Sequence, residues 1–174
     1  MVACARTHRT VHLVRGVASE LARFAKTAQD RSFRDYQAGA VYEFGSIELS
    51  EADVLEFGRR YDPQYLHVDR ELAERGPFGG LIASGWQTTA IVMRLFVEKF
   101  LPGTASLGSP GIDELRWLKP VRPGDTLRIR VTILETRLSR SKPDRGLVKT
   151  LIEALNQRGE VVATMRGSNF IEDR

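Results

Sequence analysis

The stretch SGWQTTAIVMRLFVEKFL, residues 84–101, decides how this chain must fold. Wound at 3.6 residues per turn, its Trp86, Ala90, Ile91, Val92, Met93, Leu95, Phe96, Val97 and Phe100 cover most of the helix circumference. A helix apolar on nearly all sides belongs inside a structure rather than on it, so other elements must wrap it. Downstream lie strand-like runs at 111–118, 126–136, 146–156 and 161–171, with turn chemistry at 120–125 and 156–160. Upstream, 41–49 alternates as a further strand. The economical arrangement is α+β: a curved, largely antiparallel sheet wrapped around one long buried helix.

Between the first strand and that helix, Ser50-Glu51-Ala52-Asp53 has the N-cap and acidic first turn of a helix start. The helix runs to about Tyr61, with Val54, Leu55, Gly58 and Tyr61 on one face. Asp62-Pro63 ends it, because a residue before proline is pushed out of the helical region. Residues 64–80 are polar and punctuated by glycine, with a short helix at 70–74, and their length marks a functional loop.

With 42% hydrophobic and 28% charged residues in 174, the chain reads as one soluble domain able to bury its own core. Its single cysteine, Cys4, cannot form an internal disulfide and suits a reducing compartment. No apolar run is long enough for a membrane span, so the expected location is the cytoplasm. The net charge of +4 is unevenly held: residues 1–34 carry seven Arg and Lys against two acids, leaving the remainder at −1. A neutral body lacks the basic face that phosphate neutralisation needs, so no nucleic-acid partner is expected. The chain divides into a basic arm, 1–34, flexible or helical, and a single domain, 35–174. The arm is Arg-rich and acid-poor like a transit peptide but has no clear cleavage signal. Leu13, Val17, Leu21 and Phe24 alternatively space an amphipathic helix over residues 11–27.

Of three histidines, only His67 lies in the body, in Asp62-Pro63-Gln64-Tyr65-Leu66-His67-Val68-Asp69. A carboxylate and an imidazole five residues apart, just past a helix end, can converge on one water, the carboxylate as base and the imidazole as partner in proton transfer. A structural hydrogen-bonded pair fits the same spacing. A metal is not expected, because His67 with Asp62 and Asp69 lacks a second nitrogen or sulfur ligand. About 20 residues on, a loop with four glycines opens into Ser84-Gly85-Trp86 at the helix start. Free N–H groups there could stabilise an oxyanion, with Gly85 letting a carbonyl approach closely. The alternative is that Ser84 is simply an N-cap and Gly85 relieves packing.

Taken in order, Asp62-x-x-x-x-His67-x-Asp69, the Gly76-Pro77-Phe78-Gly79-Gly80 loop, Ser84-Gly85 and Pro120-Val121-Arg122-Pro123-Gly124-Asp125 resemble the MaoC-like dehydratases, or (R)-specific enoyl-CoA hydratases. The resemblance covers 41–171 and implies a hotdog fold, with the buried helix as the sausage. By matching positions it implies Asp62 and His67 as a catalytic dyad and the Gly85 N–H as oxyanion donor. The implied reaction interconverts a trans-2-enoyl-CoA and a 3-hydroxyacyl-CoA. CoA enters as substrate, no separate cofactor is needed, and a single hotdog chain is expected to form a homodimer or higher homo-oligomer. Gln64, Ser84 and Trp86 are the expected substrate-binding residues, Trp86 lining an acyl pocket. Gln64-Tyr65 stands where the family usually has Asn-Pro, and Ser84 where it commonly has His.

Two rival readings keep the fold. A hotdog thioesterase needs a carboxylate on or opposite the central helix, where the only acid is Glu98, near its far end. A non-catalytic acyl-thioester binding module is favoured if Asp62 and His67 point apart. The cluster Arg137, Arg140, Lys142 and Arg145 either meets CoA phosphates or forms a solvated hairpin loop.

Overall fold

The computed structural model describes residues 21–174. Five strands alternate with the connecting chain as expected: β1 (Val41–Glu48), β2 (Gly111–Trp117), β3 (Thr126–Leu138), β4 (Arg145–Leu155) and β5 (Val161–Glu172). All pairings are antiparallel, and the sheet order is β1-β3-β4-β5-β2. Four helices precede β2: α1 (Glu51–Tyr61), α2 (Tyr65–Val68), α3 (Arg70–Arg75) and α4 (Gly85–Lys99). This is the hotdog arrangement, with α4 as the wrapped helix.

Period-two alternation gives the sheet two chemically different faces. Leu127, Ile129, Val131 and Ile133 of β3 are buried beside Val148, Ile152 and Ala154 of β4. Between them, Arg130 points outward and pairs with Glu43 of β1 at 2.6 Å and with Glu153 of β4 at 3.7 Å. Val92, Leu95 and Phe96 of α4, with Phe100 just beyond it, fill the concave side. The α4 circumference is not fully enclosed, however. Trp86, Met93 and Val97 are 58%, 39% and 51% exposed, forming an apolar stripe that the single chain leaves open. Among the described residues no helix is long and apolar enough to cross a membrane.

The helix expected over 11–27 lies outside the described residues up to position 20, and 21–27 are not helical. Instead, the described part of the basic arm packs against the domain. Ala22 N–H donates to Val41 O at 2.7 Å, and the Phe24 ring stacks on Tyr42 at 4.3 Å. Arg31 is only 3% exposed, and its guanidinium donates to Phe100 O (2.9 Å) and Lys99 O (3.2 Å) while lying 4.0 Å from the Phe24 ring centroid. Tyr36 donates to the same Phe100 carbonyl at 2.7 Å, and burial pushes its phenol pKa upward. The last carbonyls of α4, which carry the negative end of its dipole, thus receive a buried cation and a buried hydroxyl.

Charge counting assigns Arg31 and Arg34 to the same arm, but their environments differ. Arg34 is 73% exposed in a surface pair with Asp173. Replacing Arg31 strands the Lys99 carbonyl and leaves Phe100 O with Tyr36 as its one side-chain donor, so Arg31→Met is expected to lower unfolding free energy by about 1–3 kcal/mol. Arg34→Met is expected to cost less than about 1 kcal/mol. Urea titration followed by circular dichroism checks both.

Candidate active site

The α1 helix ends by delivering Asp62. Ser50 caps its start, accepting from Asp53 N–H at 3.1 Å, and Asp62 N–H closes it on Gly58 O at 2.9 Å. The chain then turns directly into α2, a four-residue helix too short to leave a periodic signal, which carries His67. A Cβ at Gly58 would lie 2.8 Å from His67 O and 2.9 Å from Val68 Cγ1, so the missing side chain lets α2 lie against α1. As a result the Asp62 carboxylate and the His67 ring converge, with Oδ2 and Nε2 3.4 Å apart.

Both groups are held from behind. His67 is 5% exposed, and its Nδ1 lies 2.8 Å from Ile82 O. A carbonyl only accepts, so Nδ1 carries the proton, and in the neutral ring Nε2 presents a lone pair toward Asp62. Asp62 Oδ1 accepts from Gln64 Nε2 at 2.8 Å, and Oδ2 accepts from Ser84 Oγ at 2.7 Å. Those two hydrogen bonds, Gln64 first, outweigh desolvation and hold the carboxyl pKa below its ordinary value, with His67 adding a smaller pull.

Ser84 does two jobs at the head of α4. While its hydroxyl donates to Asp62, its oxygen accepts from Trp86 N–H at 3.1 Å. The helix start is anchored to the sheet end, since Ala83 N–H donates to Val121 O at 2.8 Å within the Pro120–Asp125 turn. Asp125 is buried and organises that turn, accepting from Arg122 N–H at 2.8 Å and from Gln157 at 2.7 Å. The Gly85 N–H has no hydrogen-bond partner among the described residues. Gly85 borders a cleft of about 210 Å³ also lined by His67, Phe78, Ile82, Thr88, Trp117, Lys119 and Val121, among others.

The residues expected to bind substrate fall differently. Gln64 and Ser84 reach the Asp62 carboxylate instead of the cleft. Trp86 is turned away from the cleft lining, because one residue along a helix rotates about 100° from Gly85. The indole that borders the cleft is Trp117, which meets Trp86 edge to face at 5.3 Å. Gly85 is required for the close approach of that indole: a Cβ would collide with its ring atoms. Sequence reasoning had no signal for this contact between residues 32 positions apart. Lys119, at the cleft edge, is tied to Glu160 at 2.6 Å. Lys119, Asn156 and Arg158 together pull the Glu160 carboxyl down to about 2. Glu98 is exposed and paired with Arg94 at 2.9 Å. The basic cluster at 137–145 surrounds the β3–β4 hairpin, roughly 40 Å along β3 from the Pro120–Asp125 turn.

A family model described as a MaoC like domain matches residues 35–154, and the chain therefore belongs to the MaoC-like dehydratase family. It is 34% identical over 124 residues to the uncharacterized protein YdeM of Bacillus subtilis, covering 71% of this chain and 86% of that one. It is 30% identical over 93 residues to 3-hydroxyacyl-thioester dehydratase Z of Mycobacterium tuberculosis, covering 53% and 62%. Among solved structures, the MaoC-like dehydratase of Rhodospirillum rubrum superposes with a TM-score of 0.77 at 39% identity, covering 83% of this chain and 98% of that one. The R-hydratase PhaJ1 of Pseudomonas aeruginosa shares the fold, with a TM-score of 0.67 at 23% identity over 82% and 86%.

The hydrogen bonds on Asp62 set a testable pH dependence. A carboxyl with a depressed pKa stays ionised until the pH falls below the usual carboxylate range. Ser84→Ala removes one of the two donors, so its pKa should rise toward that of free aspartate. The acid limb of any Asp62-dependent activity should therefore move to higher pH in Ser84→Ala, as read from kcat/KM against pH.

Proposed function

We propose that this protein is a hydratase/dehydratase that interconverts a trans-2-enoyl thioester, such as an enoyl-CoA, and its 3-hydroxyacyl thioester. The observation that carries the reading is the 3.4 Å approach of Asp62 and His67 beside a cleft bordered by His67 and by Gly85, whose N–H has no partner among the described residues. Family membership and the named dehydratase among its relatives support the same reaction class.

The geometry yields a simple sequence of events. Asp62 Oδ2 and His67 Nε2 are both acceptors, so a water between them donates one hydrogen to each and turns a lone pair toward C3. As the water oxygen bonds to C3, the C2=C3 electron pair moves into the thioester and places negative charge on its carbonyl oxygen. The Gly85 N–H, at the positive end of α4, opposes that charge, a kind of donor worth about 3–4 kcal/mol. One water proton passes to the Asp62–His67 pair and a proton returns from the pair to C2, completing addition of H and OH. The depressed Asp62 pKa keeps the base ionised at neutral pH. The chain's own residues supply this acid–base chemistry.

Two copies form the working unit in this proposal. The exposed stripe of Trp86, Met93 and Val97 and the unpaired outer edge of β2, with Ile112 49% exposed, suit burial against a second chain.

Loss of enoyl absorbance with crotonyl-CoA tests the reaction. Asp62→Asn should lower the rate about 10²- to 10⁴-fold while leaving the melting curve intact, and His67→Ala should lower it as far while also lowering the melting temperature, because it leaves Ile82 O without its donor. A fully active Asp62→Asn would refute the assignment. Release of free thiol would instead indicate a thioesterase, and acyl-CoA binding without turnover a binding module. Light scattering should return at least twice the 19.5 kDa chain mass, and a monomer at micromolar concentration would remove the dimer.

A further inference from the structure

We propose that Trp117 is a plug that closes the acyl end of the cleft and restricts this protein to short acyl chains, an inference that rests on the acyl-thioester reading above. Two separate cavities lie one helical turn apart along α4. The first is the cleft, bordered by His67, Gly85 and Thr88. The second is a narrow apolar slot of only about 10 Å³ between α4 and the sheet, lined by Thr89, Val92, Leu115, Ile152, Ala163 and Met165 among others, too small to take an acyl tail while the indole is in place. The slot contains no ionisable side chain, whereas the cleft carries Lys119 at its edge. A short apolar tail fits within the cleft, a longer one extends toward the uncharged slot side, and the polar end of a thioester lies toward solvent and Lys119.

Trp117 stands at the boundary. Its indole covers the bare Cα of Gly85. Its Nε1 donates to Thr89 Oγ1 at 3.2 Å, and Thr89 in turn donates to Gly85 O at 2.9 Å. Its β-bridge partner Ala163 belongs to the slot, and the next residue along, Val162, belongs to the cleft. Leu115, two residues earlier on the same face of β2, lines the slot itself. The ring is therefore pinned by a hydrogen bond, by a glycine that only a flat group can approach so closely, and by its edge contact with Trp86. A side chain serving only to fill the core would be buried, yet Trp117 is 47% exposed and borders the cleft.

Removing the indole should join the two cavities. Each methylene buried in the space the indole leaves strengthens binding by about fourfold. For Trp117→Ala, the ratio of kcat/KM for trans-2-octenoyl-CoA to that for crotonyl-CoA is expected to rise at least about tenfold over wild type. Trp117→Phe, which keeps an aromatic ring but loses the donor to Thr89, should give a smaller rise and acts as the folded control. The same comparison is made for binding on an Asp62→Asn background, titrating butyryl-CoA and octanoyl-CoA by calorimetry. A ratio within twofold of wild type in both folded variants overturns the plug, as does a wild-type protein that already takes octenoyl-CoA as well as crotonyl-CoA. If no enoyl thioester is hydrated but the octanoyl-to-butyryl affinity ratio still rises in Trp117→Ala, the reaction is wrong and the plug stands. If hydration proceeds and neither ratio moves, the reaction stands and the plug falls.

Discussion

Everything in this protein depends on how the two ends of α4 are satisfied. A helix enclosed by a sheet cannot leave its terminal peptide groups to water, and the chain resolves the two ends in opposite ways. At the C-terminal end, the Arg31 guanidinium and the Tyr36 hydroxyl converge on the last carbonyls, so the negative pole is neutralised inside the core. At the N-terminal end, Ser84 Oγ satisfies only Trp86 N–H, and Gly85, which borders the cleft, keeps an N–H unpartnered among the described residues. The same helix thus provides the stable centre of the fold and the one fixed positive dipole of the site.

The acidic partner is brought to that dipole by close backbone packing. Gly58 lets α2 lie against α1, and the α1 terminus then presents Asp62 where Ser84 can donate to it. Ser84 links cap and carboxylate, so one hydroxyl fixes the helix start and, after Gln64, helps hold the Asp62 pKa down. The two departures from the usual family loop meet at the same carboxylate. Gln64 extends its amide to Oδ1, and Ser84 bonds Oδ2, so an ionised Asp62 is retained with different donors.

Much of the architecture was legible in the residues. The apolar helix, the five strands and the Asp62-Pro63 helix end leave direct signatures, because alternation, capping and proline sterics act between neighbours. Expected and observed bounds for β3 differ only at its outer end, where Leu138 extends the pairing. By contrast, α2 spans a single turn and cannot show a period. Arg31 counts as surface charge in any composition argument, and only the placement of Phe24, Lys99 and Phe100 around it reveals a buried cap. The stripe of Trp86, Met93 and Val97 looked like core because periodicity reports which residues are apolar but not which have a neighbour in the same chain.

By itself, the amino-acid order determined the wrapped-helix fold, since apolar periodicity, capping and turn chemistry act between near neighbours, and the order of its motifs, by resemblance to the family, brought forward Asp62, His67 and Gly85 as candidates. Tertiary structure alone decided that Asp62 and His67 converge at 3.4 Å, that Gln64 and Ser84 serve the carboxylate, and that Trp117 rather than Trp86 borders the cleft. Those outcomes depend on contacts between residues tens of positions apart, whose geometry is fixed only when the helices and sheet pack together.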